Sequence, residues 1–445
     1  MLSPTPFISR NDVLSWGRVH RQLQEVAAPR FCDELPALLD GSASTSCLAI
    51  GLRRSYGDSC LNSGGAVINM GGLDRLIAFD ETTGMLRAES GASLSQILAF
   101  AVPRGWFLPT TPGSRFVTLG GAIANDVHGK NHHQAGSFGC HVSCFGLLRS
   151  DGSSHVVTKD NQPRLFAATI GGIGLTGVIE WAEIQLQRIG SAYLDVEIIP
   201  YVGLDEFWTI AEESVGKFEH TVSWIDCSSR GANFGRGIFS RANWREDEVF
   251  TPHDDQAWKN VPFDAPAFLL NRFSVAAFNE LYFRASKAKT GIARQHYAPF
   301  FYPLDAFLNW NRLYGRRGMF QYQCVIPADE ARVAITSLLD GIARSGQASF
   351  LSVLKTFGER ASPGLLSFPR PGVTLAIDFP NRGVDTLNLL SRLDVIVSEA
   401  GGALYPAKDG RLSPEMFRRS FPRWREFLEH KDPIMNSDFW RRVAE

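Results

Sequence analysis

The sequence predicts an α+β protein with two domains, and three observations support this prediction. The chain has 445 residues, which is more than one ordinary hydrophobic core accommodates. Glycine and short apolar runs dominate up to about residue 190. Beyond that point, longer strand-like segments alternate with helical ones. We therefore expect a first domain over residues 1–190, a second over 191–401, and a C-terminal segment over 402–445.

The elements of both domains follow from where apolar runs meet turn residues. Short strands are predicted in the first domain at CLAIG, GAVINM, MLRAESG, HVVT and GVIEWAEIQLQ. Longer strands are predicted in the second at AYLDVEIIPY, HTVSWIDC, GMFQYQCVIP, SFLSVLKTFG and VTLAIDFP. Helical periodicity marks ADEARVAITSLLDGIARSG and VDTLNLLSRLDVIVSEAGG, and the second of these ends at a glycine stop. This pattern predicts an antiparallel sheet covered by helices, followed by a polar helical tail.

Composition excludes several classes of protein. The net charge is −1, so the chain has no overall basic character of the kind that nucleic-acid binding requires. Its seven cysteines are scattered, odd in number and form no C-x-x-C pair, which favours free thiols in a reducing compartment. The first residues have no basic stretch followed by an apolar one, and no run of about 18 apolar residues occurs. We expect no signal peptide and no membrane span, hence a protein that is cytoplasmic or peripheral at the inner membrane.

Three glycine-rich segments lie in the first domain, at residues 51–59, 111–130 and 169–180. Glycine lets a backbone approach a ligand closely and point its N–H groups at anionic oxygens. One such loop is usually a structural turn. Three of them, with arginine, serine and asparagine among the glycines, favour a large phosphate-bearing cofactor. We do not interpret them as a Rossmann or P-loop nucleotide site.

Six segments, taken together, resemble the decaprenylphosphoryl-β-D-ribose 2-oxidase family of vanillyl-alcohol-oxidase-type flavoproteins. They are RSYGD, PGSRFVTLGGAIANDVHGKNHHQAGSFG, GGIGLTG, QYQ, SFP and LYPAKD, and they occur in that order up to residue 409. The resemblance implies a two-domain PCMH-type FAD-binding fold. In it the first domain and the C-terminal segment hold FAD, and an antiparallel-sheet domain between them binds the substrate.

The resemblance also implies which residues contact the cofactor. Relatives with covalent FAD attach it to a histidine in the first glycine loop, and that loop has no histidine here, so we expect non-covalent FAD. The family usually has glycine where Arg53 stands. The expected cofactor-binding residues are Gly51, Arg53, Arg54, Ser55, Tyr56, Gly57, Asp58, Gly113, Thr118, Gly120, Gly121, Asn125, His128, Gly129, Ser137, Ile179 and Tyr405.

His128, His132 and His133 lie in one short loop, which raises the question of a metal site. The spacing H-x3-H-H in a Gly/Asn loop, without a nearby cysteine, does not suit zinc, and we expect no metal. For His132 and His133 an exposed loop position remains the alternative. The resemblance places His128 at the flavin.

Strand alternation predicts which side chains share a face in the second domain. Gln321 and Gln323 lie two residues apart and share one face of their strand, and Thr374, Ala376 and Asp378 share one face of another. Such polar residues are often only the solvated face of a strand. The resemblance instead implies a set of substrate-binding residues, comprising Lys130, Trp224, Gln321, Gln323, Lys355, Thr374 and Tyr405, and a catalytic set of Lys408, Tyr56 and His128. Where the family has a cysteine and an asparagine on the third strand, this chain has Ala376 and Thr374.

Residues 263–301 are first apolar and aromatic, then basic. They are either an ordinary core helix or an apolar flap for a prenyl chain, with basic residues near lipid head groups. The flap would consist of Phe268, Leu269, Leu270, Phe273, Phe278 and Phe283, with Phe301, Leu304 and Phe307 behind it and Arg284, Lys287 and Lys289 near the head groups.

The function implied by the resemblance is FAD-dependent oxidation of the ribose 2-hydroxyl of a polyprenylphosphoryl-β-D-ribose. The 2-keto product would pass to a separate NAD(P)H-dependent reductase, which completes an epimerisation to the arabinose donor. One alternative is an FAD-dependent oxidase of a soluble alditol or aldonolactone. Another is a flavin-binding subunit without activity, which is disfavoured because the whole set of candidate site residues is present.

Overall fold

The N-terminal part of the chain forms a small sheet that starts the fold. The computed structural model describes residues 5–42, 46–254, 259–266 and 268–444. In this sheet the strand order is β1–β2–β4–β3, and β4 pairs in parallel with both of its neighbours. The strands are β1 (Ile8–Arg10), β2 (Gln24–Ala27), β3 (Cys47–Ile50) and β4 (Ala66–Asn69).

A second, antiparallel sheet completes this part, with the order β5–β6–β10–β8–β9. A separate two-stranded ribbon joins β7 and β11. The strands are β5 (Leu76–Asp80), β6 (Met85–Glu89), β7 (Trp106–Phe107), β8 (Val142–Leu148), β9 (Ser154–Thr158), β10 (Val178–Gln185) and β11 (Gln187–Arg188).

Short helices connect these strands, and their starts follow the sequence. Ser93 caps the second helix by accepting a hydrogen bond from Gln96 N, and Thr118 caps the third in the same way through Gly121 N. The helices are α1 (Leu35–Gly41), α2 (Leu94–Ala101), α3 (Leu119–Ala124), α4 (His132–Ala135) and α5 (Pro163–Thr169).

The middle of the chain builds an eight-stranded antiparallel sheet of order β16–β12–β14–β13–β19–β20–β18–β21. Two short strands, β15 and β17, pair in parallel outside it. The strands are β12 (Tyr193–Tyr201), β13 (His220–Ile225), β14 (Gly237–Trp244), β15 (Lys259–Asn260), β16 (Gly291–His296), β17 (Phe307–Leu308), β18 (Met319–Ile326), β19 (Ser352–Phe357), β20 (Gly372–Pro380) and β21 (Ala403–Leu404).

Helices cover one face of this large sheet, as predicted. The buried side of α9 packs with Tyr322, Cys324 and Leu375 of the sheet in one core cluster. The alternate residues of the same strands point to the opposite face, where they line a cavity. The α+β prediction is therefore confirmed. The helices that pack in this core cluster are α6 (Leu204–Ser214), α9 (Ala328–Ser345) and α10 (Val384–Glu399), whereas α7 (Arg272–Lys287) and α8 (Tyr297–Phe301) contribute side chains to the cavity.

The C-terminal segment joins both parts of the fold. Its first residues form β21, which pairs with β18 of the large sheet. It then runs back to the small sheet, where Met435 bridges Cys47 and Asp438 accepts hydrogen bonds from Ser63. The prediction of a polar tail is wrong, because its helices bury aromatic side chains, among them Phe439 and Trp440. The helices are α11 (Pro414–Ser420), α12 (Trp424–Leu428) and α13 (Asp438–Ala444).

Two further sequence predictions concern the whole chain. All seven cysteines are free thiols, and five of them are buried. Across residues 5–42, 46–254, 259–266 and 268–444, every helix is too short or too polar to cross a membrane.

Candidate active site

A cavity of about 670 Å³ lies where the three glycine-rich segments meet the open face of the large sheet. Its size is in the range of about 300–1,000 Å³ that ligand pockets usually have. Most of the predicted site residues line it, namely Gly51, Arg53, Arg54, Ser55, Tyr56, Gly113, Thr118, Gly120, Gly121, Asn125, His128, Gly129, Lys130, Ile179, Trp224, Gln321, Gln323, Lys355, Thr374, Tyr405 and Lys408.

The glycines of the first two segments allow a close-packed wall. A Cβ atom at Gly51 would overlap Oγ1 of Thr118, and one at Gly120 would lie 2.9 Å from Cβ of Ser90. Gly113, by contrast, faces open space in the cavity. The glycines thus let the first two segments pack closely together in the cavity wall, and Gly113 leaves space there for a ligand such as FAD.

Arg53 and Arg54 supply positive charge in the first segment. Arg53 has φ of 54°, the left-handed conformation that glycine adopts most easily, so the turn expected of a glycine is kept despite the side chain. The Arg54 guanidinium lies 4.2 Å above the ring of Trp16. Burial lowers the pKa of Arg54, and the charge of Asp305 opposes that effect. Both arginines line the cavity, where they are placed to meet phosphate oxygens.

Three predicted cofactor residues lie outside the cavity. Gly57 packs directly against the backbone of Asp409, and Asp58 accepts two hydrogen bonds from Arg442 at 2.9 and 2.7 Å. Both hold the C-terminal segment against the first loop. The Ser137 hydroxyl is buried next to the thiol of Cys140. We therefore assign these three residues to supporting the cavity wall.

The third glycine segment contains the sequence pattern of a Rossmann fingerprint but not its structural setting. Gly172, Gly174 and Gly177 match the pattern G-x-G-x-x-G. They lie between α5 and β10, however, whereas a Rossmann fingerprint runs from a strand into a helix. The structure thus gives a physical reason not to interpret this segment as a nicotinamide site.

Asp126 shapes the histidine-containing loop. It has φ of 41° and is fully buried, and its Oδ1 accepts a hydrogen bond from Gly139 N at 2.7 Å. Its other oxygen accepts one from the Ser362 hydroxyl. The loop is thereby tied to a segment of the middle domain, which fixes His128 at the cavity.

His128 lies at the centre of a hydrogen-bonded chain. The Lys355 Nζ atom is 3.0 Å from His128 Nδ1 and donates to Gly129 O at 2.7 Å. On the other side, Gln323 Nε2 is 3.0 Å from His128 Nε2 and 3.2 Å from Thr374 Oγ1. Thr374 donates its hydroxyl proton to a backbone carbonyl at 2.8 Å.

The proton positions in this chain follow from counting donors. Because Thr374 donates elsewhere, it accepts from the Gln323 amide, which also donates to His128 Nε2. A neutral imidazole carries one proton, so Nδ1 holds it and donates to Lys355. Lys355 is then a neutral amine. Its burial agrees with this, since burial and the nearby Lys130 charge lower the pKa of Lys355 to about 7.

Lys130 is the second buried lysine of the cavity. Its Nζ atom donates to the backbone carbonyl of Phe300 and lies 4.3 Å from the ring of that residue. Burial lowers the pKa of Lys130 to about 7. Within the described residues, neither Lys130 nor Lys355 has a carboxylate partner within salt-bridge distance. Two unpaired amines at one end of a cavity suit an anionic ligand group.

His132 and His133 do not line the cavity. The alternative of an exposed loop is wrong for His132, which is buried and stacked 4.2 Å from the ring of Phe357. Burial lowers its pKa to about 3. His133 is half-buried against the Phe218 carbonyl at 3.0 Å. The described residues contain no group of three or more His, Cys, Asp or Glu side chains that could hold a metal ion.

Lys408 and Tyr56 come from opposite ends of the chain. The Lys408 Nζ atom lies 4.1 Å above the Tyr56 ring, and Tyr56 N donates to the Ala407 carbonyl at 2.9 Å. Burial lowers the pKa of Lys408 to about 8, and the charge of Asp378 opposes that effect. Burial raises the pKa of Tyr56 well above its usual value. Near neutral pH the tyrosine is therefore a hydrogen-bond donor, and the lysine can exchange a proton.

The proposed flap is only partly oriented as expected. Within it, α7 directs Phe278 and Tyr282 at the cavity, and Tyr282 packs 4.8 Å from the ring of Trp224. Phe283 is 9% exposed and packs beneath Arg236, while Phe273 is 69% exposed.

The remaining flap residues also divide into those that line the cavity and those that do not. Phe301, Leu304 and Phe307 line the cavity. Phe268 and Leu269 face solvent, and Leu270 packs against the Trp310 cluster. Residue 267 lies outside the described residues. Phe268, Leu269, Leu270, Phe273 and Phe283 thus do not line the cavity. The first three precede α7, and α7 presents only one side to the cavity.

One residue of the site was missed by sequence reasoning. Trp16 lines the cavity beneath Arg54, and nothing in the N-terminal sequence indicates this. Strand alternation did predict that Asp378 shares a face with Thr374 and Ala376, but it gave the carboxylate no role. In the structure Asp378 is hydrogen-bonded to Gln321.

Comparison with known proteins places these features in context. Residues 25–158 match the family model described as an FAD binding domain. The chain is 36% identical to decaprenylphosphoryl-beta-D-ribose oxidase of Mycolicibacterium smegmatis, over 97% of each chain. It is 32% identical to an uncharacterised protein in the mprA 5′ region of Streptomyces coelicolor, over 79% of this chain and all of that one. A probable mitochondrial D-2-hydroxyglutarate dehydrogenase of Oryza sativa matches at 25% identity over 39% of this chain and 33% of its own. The cavity walls are thus those of an FAD-dependent oxidoreductase.

Proposed function

The chain belongs to the decaprenylphosphoryl-β-D-ribose oxidase family, and from this premise we propose that it oxidises the ribose 2-hydroxyl of a polyprenylphosphoryl-β-D-ribose to the 2-keto sugar. One observation supports this assignment above the others. The three glycine-rich segments, the buried Lys130 and Lys355, a set of apolar side chains and Lys408 all line a single cavity. The glycine-rich segments suit FAD, the two lysines suit the phosphate of that substrate, and the apolar side chains suit its prenyl chain.

Oxidation of a secondary alcohol removes a hydride from carbon and a proton from oxygen. FAD, when bound, accepts the hydride. Lys408 is placed to accept the proton, because burial lowers its pKa to about 8 and leaves a useful fraction of free amine near that pH. The Tyr56 ring packs against the Lys408 amine. Because burial raises the pKa of Tyr56, its hydroxyl stays protonated and can donate a hydrogen bond to the sugar.

The phosphodiester is the part of the substrate that the buried lysines suit. Lys130 and Lys355 lie at the same end of the cavity, and each gains a proton more easily when an anion is close. Gln321 and Gln323 present amide groups on the neighbouring strand face, where sugar hydroxyls can bind. His128 fixes the positions of the Gln323 and Lys355 side chains through a hydrogen bond to each of them.

The prenyl chain is assigned to the apolar end. Phe278, Leu304, Phe307 and Leu308 form this wall, and Phe278, Phe307 and Leu308 are exposed. Apolar rings that lead outwards suit a lipid whose far end stays in a membrane. A soluble alditol or aldonolactone needs neither this exit nor the two lysines, so the observations favour the lipid-linked sugar.

The oxidation at C2 would be the first half of an epimerisation, and the keto sugar would be its intermediate. A separate NAD(P)H-dependent reductase would then reduce the keto sugar to the arabinose donor. The third glycine segment does not form a nicotinamide site here, which supports a division between two proteins. Peripheral contact with the inner membrane from the cytoplasmic side would give access to the lipid.

FAD is proposed to be non-covalent, because residues 51–59 contain no histidine for attachment. Acid precipitation should therefore leave the yellow colour in the supernatant, whereas colour in the pellet would contradict the proposal.

The 2-deoxy analogue of the substrate offers a direct test of the reacting position. It keeps the phosphate and the prenyl chain but has no hydroxyl at C2. We expect the natural sugar to bleach the flavin absorbance in the absence of oxygen, and the 2-deoxy analogue to bind without bleaching it. Equal bleaching by both would place the oxidation at another carbon.

A further inference from the structure

Asp378 is a fully buried carboxylate beside the active site. It stands directly opposite Gln321 in the pairing of β20 with β18, and its Oδ1 accepts a hydrogen bond from Gln321 Nε2 at 2.5 Å. Its Oδ2 is buried and has no hydrogen-bond partner among the described residues. An unsatisfied carboxylate oxygen inside a protein destabilises the fold, so its presence calls for a role.

The charged and titratable groups around Asp378 are few. Lys408 interacts with it electrostatically from the C-terminal segment, Tyr56 from the first loop, and Tyr314 from the segment before β18. Within the described residues, no arginine and no lysine forms an ion pair with Asp378. Among these groups Lys408 is the one cation, and it lies over Tyr56 in the same cavity wall as Gln321, the hydrogen-bond partner of Asp378.

Lys408 itself is surrounded mainly by neutral groups. Tyr56 lies under its ammonium, and His128 is close enough for the Lys408 charge to disfavour its protonation. The charges of Arg54 and Asp305 act on Tyr56, which in turn contacts Lys408. Within residues 5–42, 46–254, 259–266 and 268–444, the Lys408 ammonium has no salt-bridge partner within 4.0 Å. Asp378, which lies beyond salt-bridge distance, is therefore the carboxylate that favours the charged form of Lys408.

We propose that Asp378 is a positioning residue that sets the charge state of Lys408, an inference that rests on the proposed function. When the sugar hydroxyl is oxidised, its O–H bond breaks and an N–H bond forms on Lys408 Nζ. The electron pair of that O–H bond forms the new C=O bond as C2 loses its hydride, which FAD would accept when bound. Asp378 stays behind the wall, touches no substrate atom, and stabilises the ammonium that results.

The titration of the pair supports this role. Burial raises the pKa of Asp378 to about 7 and lowers the pKa of Lys408 to about 8, and each charge favours the ionised form of the other. Removing the carboxylate therefore lowers the pKa of Lys408 further. The free amine would then persist to lower pH but would be a weaker base.

The test is the pH dependence of flavin bleaching by the substrate in the FAD-loaded protein. In the native protein the rate rises with pH as Lys408 loses its proton. In Asp378→Asn we expect that rise to move down by about one pH unit or more and the limiting rate to fall about tenfold, with substrate KM nearly unchanged. An unchanged midpoint, with only a lower rate, would overturn the proposal.

Asp394→Asn is the matched control. Asp394 is a partly buried carboxyl, and burial raises its pKa to about 6, as it raises that of Asp378, but Asp394 pairs with Arg411 and does not line the cavity. We expect its replacement to leave the pH midpoint in place. An equal shift in both variants would show a general structural effect and overturn the proposal.

A second variant and a second measurement cover two ways in which the test could fail. If Asp378→Asn does not fold, Gln321→Met removes the donor that favours the Asp378 carboxylate and should shift the midpoint in the same direction. Acetylation of Lys408 by acetic anhydride, followed by mass spectrometry across pH, reports its free amine without any substrate. A native protein that never bleaches with the sugar would refute the proposed function. An acetylation midpoint that is identical in Asp378→Asn would refute the coupling alone.

Discussion

Lys355 and His128 meet nitrogen to nitrogen, with Nζ 3.0 Å from Nδ1, and the hydrogen bonds around them leave the lysine as the acceptor. A buried lysine that is neutral at rest has a direct consequence for binding. An anion placed beside it favours the ammonium, so ligand binding and proton uptake occur together.

Substrate binding should therefore take up protons. The pKa values of Lys130 and Lys355 are lowered to about 7 by burial, and a bound phosphodiester raises them. Since the complex then holds more protons than the free protein, affinity falls as pH rises above about 7, by up to about tenfold per pH unit for each proton taken up.

Titration calorimetry at pH 8 in two buffers of different ionisation enthalpy measures this uptake. Lys355→Met should reduce the uptake and Lys130→Met likewise, while both keep bound FAD. Binding heats that do not depend on the buffer would contradict neutral lysines in the resting protein.

Replacing Arg53 by glycine should separate stability from cofactor affinity. Its left-handed φ of 54° costs roughly 1–2 kcal/mol for a residue with a Cβ, and the flexibility of glycine offsets about half of that. We expect Arg53→Gly to unfold at a slightly higher temperature as apoprotein, yet to bind FAD about tenfold more weakly through loss of a charged contact.

Glu248→Gly is the matched comparison, because Glu248 has the same φ of 54° but lies outside the cavity. It should gain similar stability and keep native FAD affinity, as measured by flavin fluorescence. Unchanged FAD affinity in Arg53→Gly would remove Arg53 from the cofactor site.

Two phenylalanines of α7 test the route of the prenyl chain. Phe278 lines the cavity and Phe273 faces solvent. Phe278→Ser should lower kcat/KM for a long-chain substrate by about tenfold, since a phenyl ring in contact with the chain contributes roughly 1.5–3 kcal/mol when fully buried and less here. Phe273→Ser should change it little. Steady-state rates at a fixed detergent concentration decide this, and equal losses in both variants would argue against a specific route.

Much of the site could be predicted from the sequence because its signals are local. Strand alternation placed Gln321 and Gln323 on one face of their strand, the family resemblance assigned that face to the substrate, and both residues do line the cavity. The side of a helix that packs inward is harder to predict, as α7 shows. Its aromatic residues are spread around the helix, and only contacts with distant strands decide that Phe278 faces in while Phe283 packs beneath Arg236.

Other features depend on tertiary contacts that leave no trace in one segment. The burial of His132 results from Phe357, which is far away in the chain. In the same way, Asp378 becomes notable only once the C-terminal segment brings Lys408 near it. Local patterns thus predict elements and faces, whereas the pairing of charged groups across the cavity requires the fold.

The most direct test of the account is flavin bleaching in the absence of oxygen, in a single turnover, with three sugars of matched concentration. These are a polyprenylphosphoryl-β-D-ribose, ribose 5-phosphate and a free alditol, each tested against the native protein and against Lys408→Ala with bound FAD. We expect fast bleaching only for the native protein with the lipid-linked sugar, and a loss of about 10²–10⁴-fold in Lys408→Ala. Equal or faster bleaching by the free alditol would contradict the account and identify a soluble polyol as the substrate.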